Sequence, residues 1–534
     1  MKRNYFVCCL LALLGSLSAQ AINFTVDGIS YATTKDSAVV YVAGGDTAVC
    51  KGAVKIPATV SYGGIDYTVS YVGDKAFFYF TGITSVAVAE GITDIRYSAF
   101  RNCSGMTSVS LPSTLTKLGS SAFFGCKSLT AVDIPAAVDS IKPYTFYGCE
   151  GLTSFNVPGT VRFVGGSAFA RCKNLASVVL PEGITEIGSY TFQSCFALTS
   201  LNIPSSVTSI GDSAFDNCIM LNNITLPDGL KQLGAGAFDH CLGLKSINIP
   251  ANLKNIAPTT FTNCTALESI TVSAGNPVYS APDNYNVLVE TIKDGKTQEE
   301  KVRLVLGCKT SVIPAGVTEI GKYAFSNCVG LRSIAIPGTV TLIADYAFEN
   351  CFNLESLEIP EGVTDLGVGA FSGCAELTSI EIPSTITSIS ESAFRDCESL
   401  TTVTLPSTLT NIDDNAFYGC EELQKVVCLA AKCPKLTEYS FDLEFVPDIT
   451  LSVPETAVTN YEADELWGLF SVEALANGTA VAPDWNTETA ITDLKGDAKI
   501  QRVYNLGGQQ TSRMQRGINV VRMSDGTTRK VMMK

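Results

Sequence analysis

The stretch Leu198–Cys218, "LTSLNIPSSVTSIGDSAFDNC", decides the fold, because its Phe215 and Cys218 return every 23 residues. The phenylalanine series runs Phe100, Phe123, Phe146, Phe169, Phe192, Phe215, Phe238 and Phe261, then resumes at Phe325, Phe348, Phe371, Phe394 and Phe417. Each is followed three residues later by a cysteine, Cys103 through Cys264 and then Cys328 through Cys420. A proline keeps the same step from Pro112 to Pro250 and from Pro314 to Pro406. Phe77 extends the series backwards with Phe80 in the cysteine place, and Phe441 extends it forwards one residue late. A fixed period in the twenties is the signature of a solenoid, whose units bury their apolar faces only by stacking. Leu198, Leu201, Ile203, Val207, Ile210, Phe215 and Cys218 are the inward positions of one coil. Leu201 and Ile203, two residues apart, fit a short strand with both side chains inward, and stacked copies make one parallel sheet.

These positions match the inward positions of a leucine-rich repeat, with Cys where another repeat carries Leu. The unit "IP..V..I...AF..C..L..I.IP" resembles the BspA-like leucine-rich repeat of bacterial surface proteins over roughly residues 75 to 445, in thirteen full copies. The resemblance implies a repeat solenoid: a leucine-rich repeat right-handed coil with one parallel β-sheet face, a β-rich N-terminal cap and a small β C-terminal module. Residues 22–74, with "VDGISY" and "YGGIDYTV", resemble the family's lead-in and would cap the first coil. Repeats follow over 75–272 and 313–445. Residues 446–475 resemble the closing segment, in which Tyr461, Trp467 and Phe470 would cover the last repeat. Between the blocks, residues 273–312 read as an irregular unit bearing two strands around an Asp294-Gly295 turn. The family carries a cysteine where Tyr285 stands, so Cys308 lacks its usual companion.

Nineteen cysteines raise the question of a disulfide scaffold, a metal array, reactive thiols or packing. Ladder sulfurs in register would lie about 5 Å apart, which alone permits disulfides. Parallel side chains suit the disulfide torsion poorly, and an odd number cannot pair off. Buried free cysteine behaves as a small hydrophobe. Phe100, Cys103, Phe123, Cys126, Phe215, Cys218, Phe348 and Cys351 are accordingly read as repeat core, with Phe the bulky filler and Cys the small one. Cys428 and Cys433 lie off the ladder near the last coil; a local disulfide and two buried thiols are both open there. Cys50 has no obvious partner.

A formal charge of -15, with no local Lys/Arg block, argues against nucleic acid. Lys2 and Arg3, the apolar run from Tyr5 to Leu17 and Ala19-Gln20-Ala21 read as a signal peptide over 1–21, removed with Cys8 and Cys9 to leave Ile22 first. Export permits disulfides, but a chain with this much core does not need a dense framework. The single histidine, His240, occupies a repeat position held elsewhere by Asn, Gly and Arg and reads as solvent-facing. Without a second histidine, common zinc sets and a Ser-His-Asp arrangement are unavailable. "GVGAF" and "GAGAF" are repeat turns and not phosphate loops, and Asp413-Asp414 is not a calcium loop. No catalytic residue, metal or cofactor is expected.

The outward strand residues form the candidate binding face: Asn156, Ser177, Ser200, Asn202, Thr225, Asn248, Glu358 and Glu381, polar, hydroxyl-rich and slightly acidic. It lacks the aromatic and Arg anchors of tight interfaces, which suits weak, repetitive adhesion. The hairpin tip, Lys293 to Lys301, is a second candidate. After a linker over 476–490, residues 491–534 change style, with nine Lys/Arg from Lys495 to Lys534. This tail resembles the C-terminal sorting segment of proteins exported by the Gram-negative type IX system, through Tyr504-Asn505-Leu506-x-Gly508, Gly517-Ile518-Asn519-Val520 and Lys530-Val531-x-x-Lys534.

The sequence thus reads as a non-catalytic secreted or outer-surface protein of a Gram-negative bacterium. The resemblance implies adhesion to host or neighbouring-cell macromolecules through the solenoid face. The expected partner is an extracellular protein or glycan; the mature chain is a monomer without a transmembrane segment. Two other readings stay open, a structural envelope component without a specific ligand and a glycan-binding protein.

Overall fold

The computed structural model describes residues 22–34, 38–282, 285–293 and 300–475, together with four strands between Ile500 and Met533. The signal-peptide reading, the linker, the hairpin tip at 294–299 and the stretches between the tail strands lie outside the described residues. Two units are distinguished, Met1–Leu475 and Ala476–Lys534.

In the first unit the regular coils contribute the expected strand, except that the coil at Ala131 makes only an isolated bridge to Ser108. Ser200–Asn202 pairs in parallel with Asn223–Thr225, and Ser246–Ile249 with Ser269–Val272, always 23 residues on. In these strands the central side chain is buried and its neighbours face out, the period-two alternation of a half-buried sheet. The structure adds a second parallel ladder built from two-residue strands. Ser140–Ile141, Phe163–Val164, Glu186–Ile187, Ser209–Ile210 and Gln232–Leu233 follow one another in it, with Ile141, Val164, Ile187, Ile210 and Leu233 pointing inward.

A third set of coil-to-coil bonds runs through the arc around each phenylalanine. The Phe215 N–H donates to the Ala237 carbonyl of the next coil at 2.8 Å, and the Phe371 N–H to Ala393 at 2.8 Å. Turning the arc takes two left-handed residues per coil, one two residues before Phe and one two after, as at Ser213 (φ 50) and Asn217 (φ 59). Asn and Gly tolerate that region best and hold the later position at Asn102, Gly125, Gly148 and Asn217, although Arg171, Ser194 and His240 adopt it too.

The rings stack into a column: Phe192 lies 5.5 Å from Phe215, and Phe215 5.3 Å from Phe238. Phe77 and Phe441 continue it at either end, each stacked on its neighbour, Phe100 or Phe417. All eight core residues named from the sequence are fully buried.

At the N-terminus, Asn23–Val26, Ile29–Thr33 and Val39–Gly45 form an antiparallel meander. Two further strands lead into the solenoid: Gly52–Ile56 runs parallel to Ile83–Val88 at the head of the long ladder, and Ile65–Val72 parallel to Asp94–Ile95 at the head of the short one. At the far end Lys425–Cys428, Thr450–Val453 and Ser471–Ala474 extend the long ladder. There Tyr461, Trp467 and Phe470 are buried, with the Trp467 indole N–H donating to the Pro434 carbonyl at 2.8 Å. Residues 273–312 contain the hairpin, Leu288–Lys293 antiparallel to Glu300–Leu306, and the second strand passes into the short ladder beside Glu319–Ile320. The apolar core divides there, one cluster running from Phe24 to Cys308 and the other from Val287 to Phe470.

In the second unit Ile500–Tyr504 lies between Gln510–Thr511 and Gly517–Met523, and Thr528–Met533 completes a four-stranded antiparallel sheet.

Candidate functional site

The cysteine ladder has a specific chemistry. Cys218 Sγ donates to the Phe192 carbonyl of the preceding coil at 3.2 Å, and Cys126 to Phe100 at 3.1 Å. The same relation, 26 residues back, recurs from Cys103 to Cys264 and again from Cys351 to Cys420. Most of these Phe carbonyls also receive the N–H of their own coil's cysteine, as Phe192 does from Cys195 at 3.1 Å. The carbonyl's two lone pairs are thereby both used inside an apolar core, where an unmade hydrogen bond is costly. Leu or Ala at the cysteine position would pack but donate nothing.

The described cysteines, Cys50 to Cys433, are all free thiols. Burial pushes Cys172 and Cys351 up to about 12, so neither is a thiolate at neutral pH. Of the two alternatives for Cys428 and Cys433, the structure holds the thiols. Cys428 Sγ lies 3.2 Å from the Tyr461 hydroxyl, which donates to the Ala430 carbonyl at 2.9 Å. Cys308 Sγ sits 3.2 Å from the Thr310 hydroxyl.

The candidate face is a surface of the long ladder. Asn156 stands beside Val179, Ser177 beside Ser154, Ser200 beside Asn223 and Asn202 beside Thr225. Among the described residues, no hydrogen bond within the chain engages the side chains of Asn156, Ser177, Ser200, Asn202 or Thr225. Their donors and acceptors are turned to solvent. Asn248 differs, because it accepts from Thr271 at 3.0 Å and donates to Ser273 at 2.9 Å. Val179, 61% exposed, interrupts the polar row. Glu358 and Glu381 face outward on two neighbouring coils of the second block, beyond the interrupting unit, so the structure does not join them to the first group.

Sequence reasoning missed the arc side. Exposed tyrosines recur there at Tyr97, Tyr144 and Tyr190. Phe124 and Tyr147 stack at 4.4 Å, with the Arg101 guanidinium 3.7 Å from the Phe124 centroid. Gly125 and Gly148, both left-handed, line a groove of about 430 Å³ together with Phe124, Tyr147, Lys127, Glu150 and Lys173. Aligning the residue after each Phe would have shown this run of Arg101, Phe124 and Tyr147. His240 also lies on the arc and is not simply solvent-facing: its Nδ1 is 3.1 Å from Asp239 Oδ2 and 3.9 Å from Asp216 Oδ1.

Stacked parallel coils with an apolar interior and a polar outer sheet define a leucine-rich repeat solenoid. The BspA type leucine rich repeat region matches residues 70–199, 185–283, 306–424 and 369–462, more than half of the chain. The chain belongs to that family. It is similar to a leucine-rich repeat protein from Bacteroides ovatus, 27% identical, with 81% of this chain and all of that one covered at a TM-score of 0.54. A leucine rich cell surface protein from Faecalibacterium prausnitzii is 28% identical over 77% of this chain and 96% of that one, at a TM-score of 0.47. No protein with a curated description matches. Among the described residues no helix is long and apolar enough to cross a membrane.

Proposed function

We propose that this chain is a non-catalytic adhesion protein, exported to the outer surface of a Gram-negative bacterium, whose long-ladder face binds an extracellular protein or glycan. One observation carries the reading. From Asn156 to Thr225 the outward amide and hydroxyl groups, interrupted at Val179, have no partner among the described residues, although the hydroxyls just beside the strands do: Thr107 and Thr130 each donate to the preceding coil's carbonyl. Solvent satisfies such groups at little cost, so a partner reading them gains by repetition along the coils more than by any single anchor. Family membership supports the non-catalytic part of the reading, and the resemblance of the tail to a type IX sorting segment supports export.

The test is saturable binding of the full chain to immobilised matrix proteins, glycans and whole cells, repeated with Ser200→Arg/Asn202→Arg. Both positions are exposed, so the fold tolerates the change, and the reading expects affinity to fall by roughly tenfold or more. Glu186→Arg, outward on the short ladder, serves as control and leaves binding intact. Unchanged binding by the double variant would move the site off this face. No saturable binding to any surface would favour a structural envelope component.

A further inference from the structure

Asp216, Asp239 and His240 belong to the arcs of two successive coils, and three of their donor atoms lie within 4.8 Å of one another. Asp216 and Asp239 each directly follow the column phenylalanine of their coil, so stacking sets one carboxylate beside the other. That is a like-charge juxtaposition. Among the described residues neither is paired with a lysine or arginine, and the one cationic partner available is His240, the only histidine of the chain.

The carboxylates are held from behind. Gln193 Nε2 donates to Asp216 Oδ2 at 2.9 Å. Thr262 Oγ1 and Asn263 Nδ2 donate to Asp239 Oδ1 at 2.6 and 2.8 Å. Each acid thus has one oxygen fixed by a neighbouring coil and the other directed at the imidazole, although Asn217 Nδ2 also approaches Asp216 Oδ1 at 3.1 Å. Outer amides and hydroxyls that orient ligand carboxylates are the ordinary support of a metal site. His240 is placed by its backbone, left-handed at φ 54, and its ring is about half exposed. Asn263 Nδ2 stands 3.5 Å from the same Nδ1.

We propose that Asp216 Oδ1, Asp239 Oδ2 and His240 Nδ1 bind one divalent first-row transition-metal ion of the zinc class. Nδ1 lies 3.1 and 3.9 Å from the two oxygens, separations that donors about 2.0–2.2 Å from a shared ion can take up. Three protein ligands leave a coordination position for water or for a ligand from a partner molecule. One imidazole and two carboxylates suit zinc, cobalt(II) or nickel; calcium takes six to eight oxygens, and copper(I) prefers sulfur. The ion would also offset the repulsion between the two stacked acids. The corresponding positions one coil earlier are Gln193 and Ser194, and one coil later Thr262 and Asn263, so the ligand set occurs on this pair of coils.

The single histidine makes the test direct. In the untagged full chain at pH 7.5, zinc is titrated while the His240 ring resonances are followed, and affinity is measured by competition with a chromophoric chelator. Cobalt(II) absorption reports the ligand type. The proposal expects saturable one-to-one perturbation of the ring signals and a cobalt spectrum without sulfur charge transfer. His240→Asn, which installs the residue of both flanking coils, and Asp216→Asn should each weaken binding by about tenfold or more, with unchanged circular dichroism. Ring signals indifferent to excess zinc, equal affinity in His240→Asn, or a sulfur charge-transfer band marking the thiols as ligands would each overturn it.

Discussion

The coil around Phe215 and the unit at residues 273–312 carry the same architecture with different means. In the regular coil the ring of Phe215 lies between Phe192 and Phe238, and Cys218 closes the Phe192 carbonyl. At the interruption the ring column stops at Phe261 and restarts at Phe325, whose ring packs on Gly307 so closely that a Cβ there would collide with it. Cys328 reaches the Gly307 carbonyl only at 3.9 Å. On the short ladder of the same unit, partners are charged. Glu319, buried, accepts from Lys301 at 2.9 Å and from Arg303 at 3.0 Å, and Arg303 also reaches Glu290 at 3.1 Å. The comparison teaches that repetition lets identical apolar parts serve as each other's partners, whereas a unit without a copy must find partners of another kind.

The largest expected effect falls on the column. Phe215→Ala should cost about 3–5 kcal/mol, because the cavity is walled by two stacked rings that cannot collapse into it. Hydrogen exchange of the amides in the arcs from Phe192 to Phe238 reads this locally, as suits a stack whose stability is a sum of neighbouring terms. A cost under about 1 kcal/mol would mean that the coils close over the gap.

Next comes the charged cluster around Glu319. Burial alone would raise the Glu319 carboxyl, but hydrogen bonds and charge from Lys301 and Arg303 outweigh it and hold the group below the ordinary glutamate range. A depressed folded pKa stabilises above the unfolded value and is lost as pH falls through the folded one. The second block should therefore lose stability on acidification below about pH 4.3, and Glu319→Gln should flatten that dependence while costing about 2 kcal/mol at neutral pH. An acid profile of the variant parallel to that of the parent would contradict the assignment.

The smallest effect sharpens the comparison most. Cys218→Ala removes a buried sulfur and a hydrogen bond and should cost about 1–2 kcal/mol. Cys328→Ala, whose sulfur is beyond good bonding distance of any carbonyl, should cost about half as much. Paired melting curves of the two variants check the order.

The sequence declared the solenoid because Phe, Cys and Pro each kept one period over many copies. The short ladder was not legible, since a two-residue strand such as Ser209–Ile210 offers no alternation to read. The role of the thiol as donor was hidden as well: composition marks Cys as small and apolar, and only the close approach to the previous coil's carbonyl shows what sulfur adds. The outward positions of Ser200 and Asn202 followed from the period-two pattern. The convergence of Asp216 with His240 did not, because it depends on superposing two arcs and on the left-handed backbone of His240.

The central claim is that the periodic sulfur is structural, a packed thiol bonded to a backbone carbonyl. Alkylation followed by mass measurement tests it most directly. In the folded chain the thiols from Cys103 to Cys241 should resist labelling, as their burial and raised pKa require. In denaturant without reductant, every cysteine from Cys50 to Cys433 should take the label. A denatured, unreduced chain in which ladder cysteines stay unlabelled in pairs would show disulfides between coils and contradict the account.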